Sequence, residues 1–210
     1  MKSGLQSLMA SVQRGGVTDS RVLDAMARTP REMFLPEPFK TRAFEDIALP
    51  IGHHQTVSQP TVVGLMTQAL ELDDRKTVLE IGTGSGYQAA VLSPLCRRLY
   101  TLERHPALLK AAEVRFAELR LLNITAMVGD GSAGWPEQAP FQRIIVTAAA
   151  IDVPPILFEQ LAVGGIMVLP IGQDEDDQRL TRVLRTEDGA ETEDMGPVRF
   201  VPLVDGVAHT

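Results

Sequence analysis

The sequence predicts an α/β fold: a doubly wound, mostly parallel sheet preceded by a helical and irregular region. Three observations lead there. Short aliphatic and β-branched runs alternate with helical stretches from Thr77 to Leu169. Those runs stay apolar at successive positions, as strands covered by helices on both faces must. One of them, ending at Ile81, passes directly into the glycine-rich turn "GTGSG" before helical text resumes.

At the start of the chain, Leu5, Leu8, Met9 and Val12 fall at i, i+3, i+4 and i+7 and predict a helix, ended by Gly15-Gly16. Thr18 or Asp19 caps a second helix, with Val22, Leu23, Met26 and Ala27 on its apolar face. From Thr29 to Gly52 the pattern is broken by Pro30, Pro36, Pro38 and Pro50. Its apolar residues (Met33, Phe34, Leu35, Phe39, Phe44 and Ile47) predict an ordered segment wrapped on the main body rather than a free linker. Pro60 starts a helix in "SQPTVVGLMTQAL", proline being favoured at the first helical position. The expected elements after it are strand Thr77–Ile81, helix Tyr87–Leu95, strand Leu99–Glu103, helix Pro106–Leu121, strands Ile124–Val128 and Arg143–Thr147, helix Pro154–Ala162 and strand Ile166–Leu169. "QDEDDQ" reads as an acidic turn, and Arg179–Thr186 with Val198–Leu203 as a closing hairpin at the sheet edge.

With 210 residues, 44% of them hydrophobic, the chain can build one substantial core. A formal net charge of −7 repels phosphate backbones, so no nucleic-acid partner is expected. Cys96 is the only cysteine, which excludes an intramolecular disulfide and fits a reducing compartment. The amphipathic start lacks the apolar core of a signal peptide, and no apolar run reaches the length of a membrane span. A cytoplasmic protein with no membrane partner is expected. His53, His54, His105 and His209 do not pair at helical spacing, and Cys96 has no cysteine neighbour, so no metal site is expected.

In a doubly wound sheet the ligand lies beyond the carboxyl ends of the strands. Gly82, Gly84 and Gly86 there permit positive φ and a close approach of the backbone. Their spacing misses the dinucleotide fingerprint G-x-G-x-x-G by one position. Glu80, just before the turn, repels a pyrophosphate and suits a positively charged group, so a dehydrogenase is disfavoured. Glu103 ends the second strand, where an acid accepts hydrogen bonds from ribose hydroxyls. Asp130, in "GDG" after the third strand, can accept from an exocyclic amine, and Gly131 leaves room for a flat ring. A cationic amino-acid moiety, a ribose and a base together describe S-adenosyl-L-methionine better than NAD, which makes the fold a Rossmann-like methyltransferase. Plainer readings stand beside these: the glycines as a tight strand–helix junction, Glu103 as a solvated strand end or a cap for the helix from Pro106, Asp130 as a turn residue. Three acids after three successive strands favour the cofactor site.

The stretches "VLEIGTGSGYQAAVL", "GDGSAGWPEQAPFQRIIVTAAA", "LAVGGIMVLPIG" and "VRFVPLVDG", with "PREMFLPEPFKTRAFEDIALPIGHHQTVSQP" upstream, resemble the bacterial type of the protein-L-isoaspartate (D-aspartate) O-methyltransferase family. The likeness runs from roughly Val17 to Gly206, and its most specific parts are "TVSQP" and the "VPLV" ending. The resemblance implies methyl transfer from S-adenosyl-L-methionine to the free carboxylate of L-isoaspartyl or D-aspartyl residues in damaged proteins. The ester then cyclises to a succinimide, and hydrolysis returns some normal aspartate. Such a carboxylate, with a pKa near ~4, is already ionised at neutral pH and needs no general base.

The implied cofactor contacts are Glu80, Gly82, Thr83, Gly84, Gly86, Glu103, Arg104, Asp130 and Gly131, joined by Thr56 and Val57. Ser58 is the implied active-site serine, although by position it equally suits a cap for the helix from Pro60. Ile51, Gly52, Ser58, Val201, Leu203 and Val204 are the implied lining of a groove for the substrate's main chain. The implied organisation is one structural unit: residues 1–58 as an N-terminal helical and substrate-lining region, residues 59–210 as the core with a C-terminal strand pair. Age-damaged proteins are the expected partners, the expected state is a monomer, and no metal is required. His54 stands where the family often has glycine, either exposed on a loop or stacked on a ligand. Tyr87 and Trp135 are expected to pack rather than to bind a base. Two alternatives remain. Another methyltransferase on this scaffold is opposed by Ser58 and "RFVPL"; a non-catalytic binder of damaged peptides is opposed by the intact glycine turn and Ser58.

Overall fold

The computed structural model describes residues 2–174 and 176–208, so Glu175 of the expected acidic turn and His209 of the histidine set lie outside the described residues. The N-terminal pattern folds as α1 (Lys2–Arg14) and α2 (Ser20–Arg28). Asp19, rather than Thr18, caps α2, its carboxylate accepting from the Arg21 N–H at 2.8 Å. Val22, Ala25 and Met26 make the buried face, while Ala27 faces solvent, off the expected stripe.

The proline-broken stretch is ordered, as expected. It forms 3-10 turns at Arg31–Phe34 and Glu37–Arg42, with Phe34 and Leu35 buried. Beyond them β1 (Leu49–Gly52) and β2 (Gln55–Val57) pair as an antiparallel hairpin that no local signal announced. Its two turn residues, His53 and His54, have φ of 51° and 56°, a left-handed backbone that Gly, Asn or Asp usually supplies in such turns.

α3 (Pro60–Ala69) starts at the expected proline. The sheet follows with β3 (Thr77–Ile81), α4 (Tyr87–Leu92, prolonged by a 3-10 turn at Ser93–Leu95), β4 (Arg98–Glu103), α5 (Pro106–Glu118) and β5 (Ile124–Val128). β6 (Phe141–Val146), α6 (Pro155–Glu159), β7 (Leu161–Ile171), β8 (Arg179–Arg185) and β9 (Ala190–Pro197) complete it. Strand order is β5-β4-β3-β6-β7-β8-β9. β3 to β7 run parallel, and β8 pairs antiparallel with β7 and with β9. The order reverses at β3, with β4 on one side and β6 on the other, which is where a doubly wound sheet opens a crevice.

Three expectations are corrected. The helix from Pro106 stops at Glu118, because Arg120 turns left-handed (φ 55°) and the N–H groups of Arg120 and Leu121 close back on the Ala117 and Phe116 carbonyls at 3.1 and 2.9 Å. This closure normally uses glycine, whose absence hid the stop. The helix expected to reach Ala162 ends at Glu159, because Leu161 enters the sheet beside Phe141. Val198–Leu203 is not the closing strand; β8 pairs with β9, whose "AETEDMGP" is largely exposed at the sheet edge and carries no apolar alternation. The chain after β9 instead crosses to the carboxyl end of β6, where Pro202 bridges Ala149.

One core cluster joins Leu8, Val12, Val22 and Phe34 of the N-terminal region to Leu49 and Val57 of the hairpin and to Tyr87, Ala90 and Val91 of α4. Phe34, Leu49 and Val57 are at most 4% exposed. Burial of each contributes roughly 1.5–3 kcal/mol, and together they fix the hairpin over the carboxyl ends of the strands.

Candidate active site

The turn from β3 into α4 requires its glycines: Gly82, Gly84 and Gly86 have φ of 93°, 53° and 88°. At Gly82 a Cβ would also fall on the Thr147 hydroxyl. The turn is held from both flanks. The Gly82 and Thr83 N–H groups donate to the Leu102 carbonyl of β4 at 2.8 and 3.1 Å, and the Thr147 hydroxyl, just past β6, donates to the Gly82 carbonyl at 2.7 Å.

Glu103 ends β4 and is 5% exposed, so it is not a solvated strand end. Oε2 accepts from the Gly84 N–H at 2.7 Å and Oε1 from the His105 N–H at 2.9 Å. It therefore ties the glycine turn to the start of α5 while still lining the cavity above.

Glu80 differs more from expectation. It is fully buried in β3, opposite Thr101 of β4. The Thr101 hydroxyl donates to Oε2 at 2.5 Å and lies 2.6 Å from the Thr83 hydroxyl, while Oε1 has no partner among the described residues. Burial pushes the carboxyl up to about 8, against the Thr101 hydrogen bond and helped by Glu103. The carboxyl thus lies inside the sheet with its neutral form favoured, and it does not face the cavity as an acid just before the turn was expected to. Glu80 sits behind the turn and reaches the cavity only through the Thr101 and Thr83 hydroxyls.

Asp130 caps the 3-10 turn Gly131–Ala133, its Oδ1 accepting from Ser132 N–H and Oγ at 2.9 and 2.7 Å. Burial alone would raise its pKa, but hydrogen bonds from Ser132 and the Gly206 N–H hold it below the ordinary carboxylate value.

One cavity opens above this edge of the sheet. Thr56, Val57 and Ser58 form one wall, Gly82, Thr83, Gly84, Glu103, Arg104 and Gly131 the floor, and Val201, Leu203 and Val204 the far side. The far side is fastened by the Ala149 N–H to Val201 carbonyl bond (2.8 Å), the Leu203 N–H to Ala149 carbonyl bond (2.7 Å) and Arg104 Nε to the Gly206 carbonyl (3.2 Å). Five sequence-derived candidates are not among its walls: Ile51, Gly52, Glu80, Gly86 and Asp130. Gly86 caps α4, where a Cβ would press on the Phe116 ring at 2.7 Å. Thr147, Ala148 and Gln88 line the cavity without having been singled out. Thr147 had a usable signal, a polar residue directly after an apolar strand, the same signal that marks Glu103; Gln88, inside a helix, had none.

Ser58 is half-buried and faces the cavity. The capping role that competed for it belongs to Asp46. That carboxylate accepts from the Thr61 N–H (2.8 Å), the Thr61 hydroxyl (2.6 Å) and Gln59 Nε2 (3.2 Å) at the start of α3. Among the described residues nothing hydrogen-bonds the Ser58 hydroxyl. His54 is exposed at the rim, and the neighbouring His53 ring lies 5.3 Å from that of His105. Tyr87 packs edge-on against Phe34 and also lines the cavity; Trp135 packs against Tyr100.

The model of the protein-L-isoaspartate(D-aspartate) O-methyltransferase family matches residues 3–208. A protein-L-isoaspartate O-methyltransferase of Rhodospirillum centenum is 60% identical over 202 residues, 96% of this chain and 91% of that protein. One from Paracoccus denitrificans is 59% identical over 206 residues, 98% of this chain and 95% of that protein. A solved protein-L-isoaspartate O-methyltransferase superposes with a TM-score of 0.86 at 28% identity, covering 97% of this chain and 67% of the other. The fold is shared by a solved chain from Plasmodium falciparum, described as a putative enzyme of the same name in complex with S-adenosyl-L-homocysteine (TM-score 0.79, 23% identity, 94% of this chain and 97% of that one).

Proposed function

The chain belongs to the protein-L-isoaspartate (D-aspartate) O-methyltransferase family, and from that premise we propose how its residues divide the work. The reaction is methyl transfer from S-adenosyl-L-methionine to the free carboxylate of L-isoaspartyl residues in damaged proteins. S-Adenosyl-L-methionine supplies an electrophilic methyl group on a good leaving group. The substrate carboxylate is ionised at neutral pH and is itself the nucleophile. What remains for the protein is alignment and the exclusion of water.

The donor set suits an adenosyl ligand. Glu103 at the end of β4 offers an acceptor for ribose hydroxyls, and Arg104 and Gly131 border the space for the base, with Asp130 behind them holding the turn that carries Gly131. Ile81, Leu102 and Leu203 give that space apolar walls. Glu80 acts from behind, bracing Thr83 through Thr101, and Gly82, Gly84 and Gly86 bring the backbone close. Thr56 and Val57 cover the ligand from the hairpin side. Ile51, Gly52, Val201, Leu203 and Val204 offer main-chain groups to an extended peptide, which suits an enzyme that accepts many sequences. The reading needs no metal, since the reaction asks for neither a Lewis acid nor a general base, and it is completed by a cytoplasmic monomer.

Ser58 is the catalytic residue in this reading: its hydroxyl donates to the substrate carboxylate and fixes the line of attack. The observation that carries it is that Ser58 faces the same cavity as the glycine turn and Glu103, with its hydroxyl unspent among the described residues and the cap of α3 supplied by Asp46. Ser58→Ala is expected to lower kcat about ten- to hundredfold, the scale on which losing the alignment of a reacting group by about 1 Å acts, since the carboxylate gives up its charge as it attacks and the hydroxyl contributes by fixing its direction. Affinity for S-adenosyl-L-homocysteine and the melting temperature should stay as in the wild type. Steady-state kinetics and a thermal melt on one preparation check this, and a wild-type kcat removes Ser58 from the mechanism.

A further inference from the structure

We propose that Arg31 and Asp46 are the positioning residues of Ser58, gripping the Ser58–Thr61 backbone from its two ends. Arg31 is 2% exposed, and no salt bridge reaches it among the described residues. Its two Nη atoms are spent on main-chain carbonyls instead, while Nε finds no partner among the described residues. Nη1 donates to Ala43 (3.0 Å) and Glu45 (3.1 Å), and Nη2 to Ile47 (2.8 Å) and Ser58 (3.4 Å). Its carbon lies 5.8 Å from the Tyr87 ring centroid. Burying a charge without a carboxylate partner is costly, and the return here is geometric. One rigid fork fixes a loop of three carbonyls and the peptide of Ser58 relative to one another.

That loop carries Asp46, which points the other way. Its carboxylate takes the Thr61 N–H and hydroxyl and the Gln59 amide, setting the first turn of α3. Gln59, the residue in the capping position, supplies no side-chain cap of its own. Ser58 is thus clamped between Arg31 at its carbonyl and Asp46 just downstream, on a hairpin whose last residue, Val57, is buried. Its side chain is left to the cavity. Neither Arg31 nor Asp46 lines that cavity, so both act through the serine. An error of about 1 Å in the placement of a reacting group can cost ~100-fold in rate, so the clamp has a measurable consequence.

The proposal rests on the catalytic reading of Ser58, and a double-mutant cycle separates the two. Asp46→Ala and Arg31→Lys should each lower kcat on an isoaspartyl peptide about tenfold or more, with affinity for S-adenosyl-L-homocysteine unchanged by calorimetry. Asp46→Asn, which keeps an acceptor for Thr61, should recover most of the rate. In a Ser58→Ala background Asp46→Ala should cost little more, because the group it positions is gone. Arg31 is deeply buried and its variant can fail to fold; Asp46, half-buried, carries the test on its own. A wild-type kcat in folded Asp46→Ala beside a lowered kcat in Ser58→Ala overturns this proposal alone. So does an undiminished Asp46→Ala effect in the Ser58→Ala background, or a parallel loss of S-adenosyl-L-homocysteine affinity. A wild-type kcat in Ser58→Ala overturns the serine reading and the clamp with it.

Discussion

Glu103→Ala is expected to weaken S-adenosyl-L-homocysteine binding by roughly 1.5–3 kcal/mol, about ten- to 150-fold in Kd, the range for hydrogen bonds to a charged group. Two losses combine. The ribose loses its acceptor, and the Gly84 and His105 N–H groups, at 2.7 and 2.9 Å from the two carboxylate oxygens, lose theirs. The second loss also lowers the melting temperature, because partly buried donors left unpaired cost stability. Glu103→Gln, which retains an acceptor oxygen, should fall between alanine and the wild type in both measurements. Calorimetry beside a thermal melt separates the roles: a lowered melting point with unchanged Kd would leave Glu103 as a brace for the turn and no more.

Glu80 should make the protein less stable as pH rises, and Glu80→Gln should remove that dependence. The folded-state pKa of about 8 lies above the ordinary 4.5, with burial as the main cause. Between those values the folded chain keeps a proton that the unfolded chain has lost. The contribution of Glu80 therefore turns progressively unfavourable as pH rises through this window, by about 1.4 kcal/mol per pH unit, and levels off above it. Glutamine cannot titrate, so the stability of Glu80→Gln relative to the wild type should climb by roughly 3 kcal/mol between pH ~4.5 and ~7. Urea unfolding of both proteins across that range measures the difference directly, with every other titrating group common to the two. A difference independent of pH would mean that Glu80 is ionised in the folded protein.

The central sheet was legible because β3 and β6 are buried along almost their whole length and carry the aliphatic runs Val78-Leu79 and Ile144–Val146. The glycine turn was legible because three positive φ values at alternate positions leave few residue types available. What escaped did so for identifiable reasons. β9 is an edge strand with polar residues exposed along most of its length, so it shows no alternation. The β1–β2 hairpin turns on His53-His54, residues that do not announce left-handed backbone. Glu80 reads as an acid near a strand end, but its pairing opposite Thr101 puts it inside the sheet, and only the register reveals that. The cap of α3 comes from Asp46, a contact across the proline-broken segment that local capping rules do not reach, which is why Ser58 looked like a competitor for that role. Of the candidate site, Glu103 and Gly82 to Gly84 follow from position at the strand ends and line the cavity, Glu80 and Asp130 follow from position and do not, and Ser58 and the "VPLV" segment come from likeness to a family.

The central claim is that this chain methylates the misplaced carboxylate of an isoaspartyl residue. It is tested most directly by incubating the protein with labelled S-adenosyl-L-methionine and two peptides identical except that one holds an isoaspartyl residue and the other normal aspartate. The isoaspartyl peptide should take up label, in a base-labile ester, and the aspartyl twin should stay nearly unlabelled. Equal labelling of the two peptides, or labelling of neither by protein that binds S-adenosyl-L-homocysteine, would contradict it.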